Sequence, residues 1–119
     1  MIRRRRGRSN ARRTKVDGIW FASKVEARRY GELKLLEKAG EISFLRVHPR
    51  YRLIDGGRDR DGNVIRPIDY IGDFDYYEGD LWCVEDVKGK TAKLTDVFAI
   101  KSKLFRLKYQ DIDFRIVRM

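Results

Sequence analysis

The residues best suited to chemistry in this 119-residue chain form the triplet Asp86-Val87-Lys88. The triplet ends an apolar run, residues 81–88, whose β-branched and aromatic content reads as a strand. Side chains alternate between the faces of a strand, so Asp86 and Lys88 share one face while Glu85 and Val87 take the other. A carboxylate and an ammonium held this way can bind a cation and steady an anionic oxygen beside it. The preceding predicted strand, residues 68–77, offers Asp69, Asp73 and Asp75, all of one parity. If the two strands pair, Asp73 approaches Asp86 across the ladder. Carboxylates that close repel unless one is protonated or a cation sits between them, and an oxygen-rich Mg²⁺ site meets that demand. Glu26 is a third candidate carboxylate with a competing use. It stands three residues after Ser23, the spacing of a capping box that opens a helix.

The elements that must position these groups follow from pattern. Residues 16–22 are a short apolar lead-in to a helix over 23–39, with Tyr30, Leu33 and Leu36 facing inward and Gly40 as its stop. Residues 42–54 alternate in patches, and Pro49 makes them two short extended pieces or an edge strand. Residues 55–63, with three glycines, read as a turn or loop. Residues 68–77 and 81–88 form a hairpin around Glu78-Gly79-Asp80. Thr95 or Asp96 caps a second helix in which Val97, Ile100, Leu104 and Leu107 make the apolar stripe. Residues 114–117 close the chain as a strand. The order α-β-β-β-α-β predicts one α/β domain, a mixed central sheet flanked by helices.

Composition narrows the function classes. The single cysteine, Cys83, and single histidine, His48, exclude an internal disulfide, a multi-thiolate zinc site and imidazole-rich metal sites. A metal here must be held mostly by carboxylates, which suits magnesium or manganese. No apolar run is long enough for a membrane-spanning helix, so a cytoplasmic location is expected. The net charge of +10 is concentrated at the start: residues 1–16 carry Arg3, Arg4, Arg5, Arg6, Arg8, Arg12, Arg13 and Lys15, and no acid. Residues 1–15 therefore read as a flexible basic arm for nucleic-acid backbone, ahead of a folded domain over 16–119.

The constellation of Glu26 in the first helix, Asp73 on one strand and Asp86-Val87-Lys88 on the next resembles the PD-(D/E)XK nuclease superfamily. Within it, the chain looks most like small phage-encoded nucleases and the related archaeal Holliday-junction resolvases, and the stretches 23–30, 32–42, 70–74, 84–89 and 95–105 resemble the phage group closely. Two departures are Gly72, where many members have proline, and aspartate at 86, where many resolvases have glutamate. The resemblance implies a restriction-endonuclease-like core and metal-dependent hydrolysis of phosphodiester bonds. In that scheme Glu26, Asp73, Asp86 and the Val87 carbonyl hold Mg²⁺, with Mn²⁺ as a substitute. Lys88 orients or deprotonates the attacking water, or stabilises the charged phosphate oxygens, and Lys101 contacts phosphate. A homodimer cutting four-way DNA junctions is the first expectation, with exposed aromatics such as Phe44, Tyr76 and Tyr77 as candidate dimer surface. A general or flap-type endonuclease and a non-catalytic nucleic-acid-binding module are the alternatives.

Overall fold

The computed structural model describes residues 12–119. The chain runs β1 (Thr14–Val16), β2 (Ile19–Phe21), α1 (Lys24–Lys38), β3 (Ser43–Val47), β4 (Arg50–Ile54), β5 (Gly57–Arg58), β6 (Val64–Ile65), β7 (Ile68–Ile71), β8 (Phe74–Glu78), β9 (Leu81–Lys88), α2 (Asp96–Lys108) and β10 (Ile112–Arg118). The central sheet has the order β10-β9-β8-β3; β10 runs parallel to β9 and the other neighbours are antiparallel. This is the expected mixed α/β architecture. None of the described helices is long and apolar enough to cross a membrane.

One long antiparallel ribbon generates the rest. Val47 pairs with Phe74 and Arg50 with Ile71, and the register does not change between them. Across the gap the His48 N–H donates to the Asp73 carbonyl at 2.9 Å, and the Gly72 N–H donates to the Pro49 carbonyl at 2.9 Å. The ribbon thus bends at His48-Pro49 and Gly72-Asp73 together, giving β3–β8 to the central sheet and β4–β7 to a separate layer. The single strand expected over residues 68–77 is therefore two strands. Its consequence is that Asp69 and Asp75 lie on separate strands, with Asp73 at the bend between them.

Each helix closes one side. Phe74, Tyr76 and Cys83 point to α1 and are buried with Phe21, Ala27, Tyr30, Leu33 and Ile42. Val84 points to the other side, buried with Tyr51, Leu53, Tyr70, Phe98, Phe105 and Ile112. In α1 the Ser23 hydroxyl accepts from the Glu26 N–H at 3.1 Å, and Gly40 adopts φ +81 after the last turn, as the sequence predicts.

Three expectations need correction. The lead-in to α1 is a β1–β2 hairpin, because Asp17 and Gly18 both adopt positive φ (52 and 76) and allow Val16 to pair with Ile19. Lys15 consequently lies on β1, not in a flexible arm. The loop over residues 55–63 carries β5, which pairs with β6. In α2 most of the aliphatic stripe faces solvent: Val97, Ile100 and Leu107 are 63%, 59% and 71% exposed, and only Leu104 packs, half-buried, against the core. Phe98, Ser102 and Phe105 face inward instead. The Phe105 ring lies 5.0 Å from Tyr51 and 5.3 Å from Tyr70, centre to centre. These larger rings bury more apolar area and prefer such tilted contacts, so they win the core face.

Of the aromatics named for a dimer surface, Tyr76 is core, while Phe44 is 76% exposed and Tyr77 lies beside it. The assignment of α2 faces predicts that Phe105→Ala costs about 3–5 kcal/mol whereas Leu107→Gln stays within about 0.5 kcal/mol. Urea unfolding of both variants checks this, and a Leu107→Gln cost equal to that of Phe105→Ala would contradict it.

Candidate active site

The predicted residues meet in one cleft of about 680 Å³, lined by Glu26, Asp73, Asp86, Val87, Lys88 and Lys101 among others. They arrive from α1, the bend, β9 and α2. Glu26 is in the first turn of α1, where the Ser23 cap holds its backbone. Its carboxylate does not complete a capping box; Oε1 lies 2.8 Å from His48 Nε2. Asp73 sits in the bend, and extending the β8–β9 register by one step sets it opposite Asp86. Its N–H donates to the Glu85 carbonyl at 3.0 Å, and its Oδ2 accepts from the Val87 N–H at 2.6 Å.

Strand alternation on β9 works as expected. Lys88 Nζ is 2.8 Å from Asp86 Oδ1, and the Tyr70 hydroxyl donates to Asp86 Oδ2 at 2.7 Å. The Lys88 ammonium also lies 4.0 Å from the Phe98 ring centre, a cation–π contact that confines it. Glu85 turns to the opposite face, where Arg29 donates to it through Nε and a terminal nitrogen at 2.8 and 2.7 Å. Asp75 is likewise occupied elsewhere, by Arg46 and the Tyr51 hydroxyl. Asp69 lines the cleft but is tied to Arg50 and Arg52 at 2.9 and 2.6 Å.

Gly72 explains the departure from proline. Its N–H is used in the bend, which proline could not supply, and a Cβ there would lie 2.8 Å from Val84 Cγ2.

The electrostatics of the cleft centre on Asp73. Burial, then the Asp86 and Glu26 carboxylates, push it up to about 8. Burial and the Asp86 charge push the Tyr70 phenol well above its ordinary value, so Tyr70 remains a donor to Asp86. Converging carboxylates of this kind are oxygen donors with surplus negative charge, and they fit a hard divalent cation. Ligand atoms of Glu26, His48 and Asp73 all lie within 4.8 Å of one another. Asp86 stands outside that triad, with one oxygen bound by Lys88 and the other by Tyr70. His48 and Tyr70 are the site residues that sequence reasoning missed. His48 reaches Glu26 from a residue with φ 54, a local feature that no spacing in the sequence announces.

Of the basic residues, Lys101 is half-buried in the cleft wall and Arg12, Arg13 and Lys15 are exposed at the β1–β2 hairpin. Arg3, Arg4, Arg5, Arg6 and Arg8 lie outside the described residues.

Residues 6–119 match the family described as protein of unknown function (DUF1064), and the chain belongs to that family. No curated protein and no solved structure matches the chain.

The Asp73 shift has a definite sign. A folded value near 8 against an unfolded value near 4 means that the folded chain binds the extra proton between them. Stability from this group is therefore greatest at low pH and is lost as pH rises toward and past about 8. Thermal melts in EDTA should show the wild-type Tm falling relative to Asp73→Asn between about pH 5 and about pH 8.5. A difference that stays constant with pH would contradict the assignment.

Proposed function

We propose that this protein is a metal-dependent DNA endonuclease that acts on branched DNA, with a four-way junction as its first candidate substrate. The observation that carries the reading is the convergence of Glu26, Asp73, Asp86 and Lys88 on one cleft, while the adjacent Glu85 is consumed by Arg29 on the opposite face. A purely structural role for Asp86 and Lys88 would account for their ion pair. It does not account for Asp73 being held, half-buried, against two other carboxylates.

In this reading Asp73, Asp86 and Glu26, with the Val87 carbonyl, would hold Mg²⁺, or Mn²⁺ in its place. Bound there, the cation supplies Lewis acidity and neutralises charge developing on the phosphate. The chain's own groups do the positioning. Tyr70 fixes Asp86 through its hydroxyl, His48 fixes Glu26, and the Asp73 carboxylate is anchored by the Val87 N–H. Lys88 is restrained between Asp86 and the Phe98 ring. Its ammonium orients the attacking water or offsets negative charge on the non-bridging oxygens, a preorganised role that needs no rearrangement during the reaction. Lys101, on the cleft wall, would meet a flanking phosphate. Nicking two symmetric strands of a junction needs two such clefts, so the resolvase form of this reading requires a homodimer.

The test is cleavage of a labelled four-way junction beside a linear duplex of matched sequence, with Mg²⁺ and with EDTA. Asp86→Asn and Lys88→Ala should each abolish cutting while leaving junction binding nearly intact. Cutting by either variant at close to the wild-type rate would remove the mechanism. Equal cutting of duplex and junction would keep the nuclease and remove the preference for branched DNA.

The basic N-terminal stretch makes a separate prediction. Deleting residues 1–11, which leaves β1 whole, should weaken DNA binding and make its salt dependence shallower, by about one unit of log–log slope for each phosphate no longer neutralised. Binding measured by fluorescence anisotropy across a salt series checks this, and an unchanged slope would show that the stretch does not clamp phosphate.

A further inference from the structure

The outer face of the β1–β2 hairpin combines two chemistries that the cleavage mechanism does not use. Lys15 and Trp20 are direct cross-strand partners, and alternation puts Arg13 on the same face. Phe21, on the opposite face, is fully buried and anchors the hairpin to the α1 core. Trp20 is left 49% exposed. The Arg13 guanidinium lies 4.4 Å from the centre of its ring, and Lys15 Nζ lies 5.5 Å from it. Ala22, two residues beyond Trp20, lines the cleft with Asp73, Asp86 and Lys88. The indole therefore stands only about 7 Å of extended chain from the cleft rim.

An exposed indole offers a flat apolar surface, and the two cations offer fixed positive charge. Few ligands use both at one point. A nucleotide in an unpaired strand does: its base stacks on the aromatic ring while its phosphate is neutralised beside it. A continuous duplex hides its base faces in its own stack and can use only the cations. Arg13, stacked on the indole, also holds the ring in one orientation, so a base meets a preset surface. In sequence, residues 1–13 carry seven arginines and no acid.

We propose that Trp20, flanked by Arg13 and Lys15, is a stacking site for an unpaired nucleobase of the DNA strand entering the cleft, a role that rests on the DNA-cleaving reading above. It assigns the cleft a strand with unstacked bases, as occurs at a junction branch point or a flap.

The experiment is a fluorescence titration of the full chain in EDTA, with tryptophan excited selectively. The probes are oligo(dT), an abasic oligonucleotide of the same length, and a linear duplex. Oligo(dT) should quench the emission strongly and the abasic strand weakly. The other tryptophan, Trp82, is half-buried and its indole N–H is bonded to Asp75, so it supplies a constant background. By anisotropy, Trp20→Ala should lose about ten-fold in affinity for oligo(dT) and for the four-way junction. Duplex affinity should change by less than about two-fold, and Trp20→Phe should recover most of the loss. Equal quenching by the abasic strand, or an equal loss for oligo(dT) and duplex in Trp20→Ala, would overturn the stacking site while leaving the DNA reading intact. Failure of the wild type to bind any of the probes would overturn both.

Discussion

The bend shared by His48-Pro49 and Gly72-Asp73 is the constraint on which the site depends. Two backbone hydrogen bonds, His48 to Asp73 and Gly72 to Pro49, hold the ribbon together where it changes layer. Asp73 sits at this bend, where the β8–β9 register sets it opposite Asp86 and brings it near Glu26, and His48 reaches Glu26 from the other strand of the ribbon. Gly72 is the residue that permits this, since the bend needs its N–H and Val84 leaves no room for a Cβ.

Concentrating carboxylates in this way is unfavourable for the fold alone. The raised value of Asp73 measures that tension, since burial and two like charges all oppose its ionisation. The chain relieves part of it locally. Lys88 and Tyr70 share the oxygens of Asp86, and the Val87 N–H takes one oxygen of Asp73. Outside the cleft cluster, Glu85 is paired with Arg29, and Asp75 with Arg46 and Tyr51. A cluster of acids with a raised pKa in a cleft is a candidate functional site, and it is the physical ground for the proposed cation site.

Sequence pattern is a good guide wherever side-chain parity or a local cap decides the outcome. Asp86 and Lys88 share a face because strands alternate, Glu85 leaves it for the same reason, and Ser23 and Thr95 cap their helices as their spacing predicts. It is a poor guide wherever tertiary competition decides. The stripe of Val97, Ile100 and Leu107 is a regular apolar pattern, yet Phe98 and Phe105 take the core, Phe105 against Tyr51 on β4 and Tyr70 on β7, and Phe98 against Phe114 on β10. The break at Gly72 is invisible in an apolar run that otherwise reads as one strand. His48 and Tyr70 join the site only through that break, so no local pattern names them. The hairpin at Asp17-Gly18 is different: its two-residue turn is written in the sequence, but the apolar residues around it also read as a helix lead-in and mask it.

Whether Glu26, Asp73 and Asp86 are held together to bind a divalent cation can be tested without any substrate. The measurement is a titration of Mn²⁺ into the full chain at neutral pH, followed by its electron paramagnetic resonance signal. Saturable binding of about one or two ions per chain is expected, competed by Mg²⁺ and abolished in Asp73→Asn. A wild-type titration indistinguishable from that of Asp73→Asn would contradict a cation site built on these carboxylates.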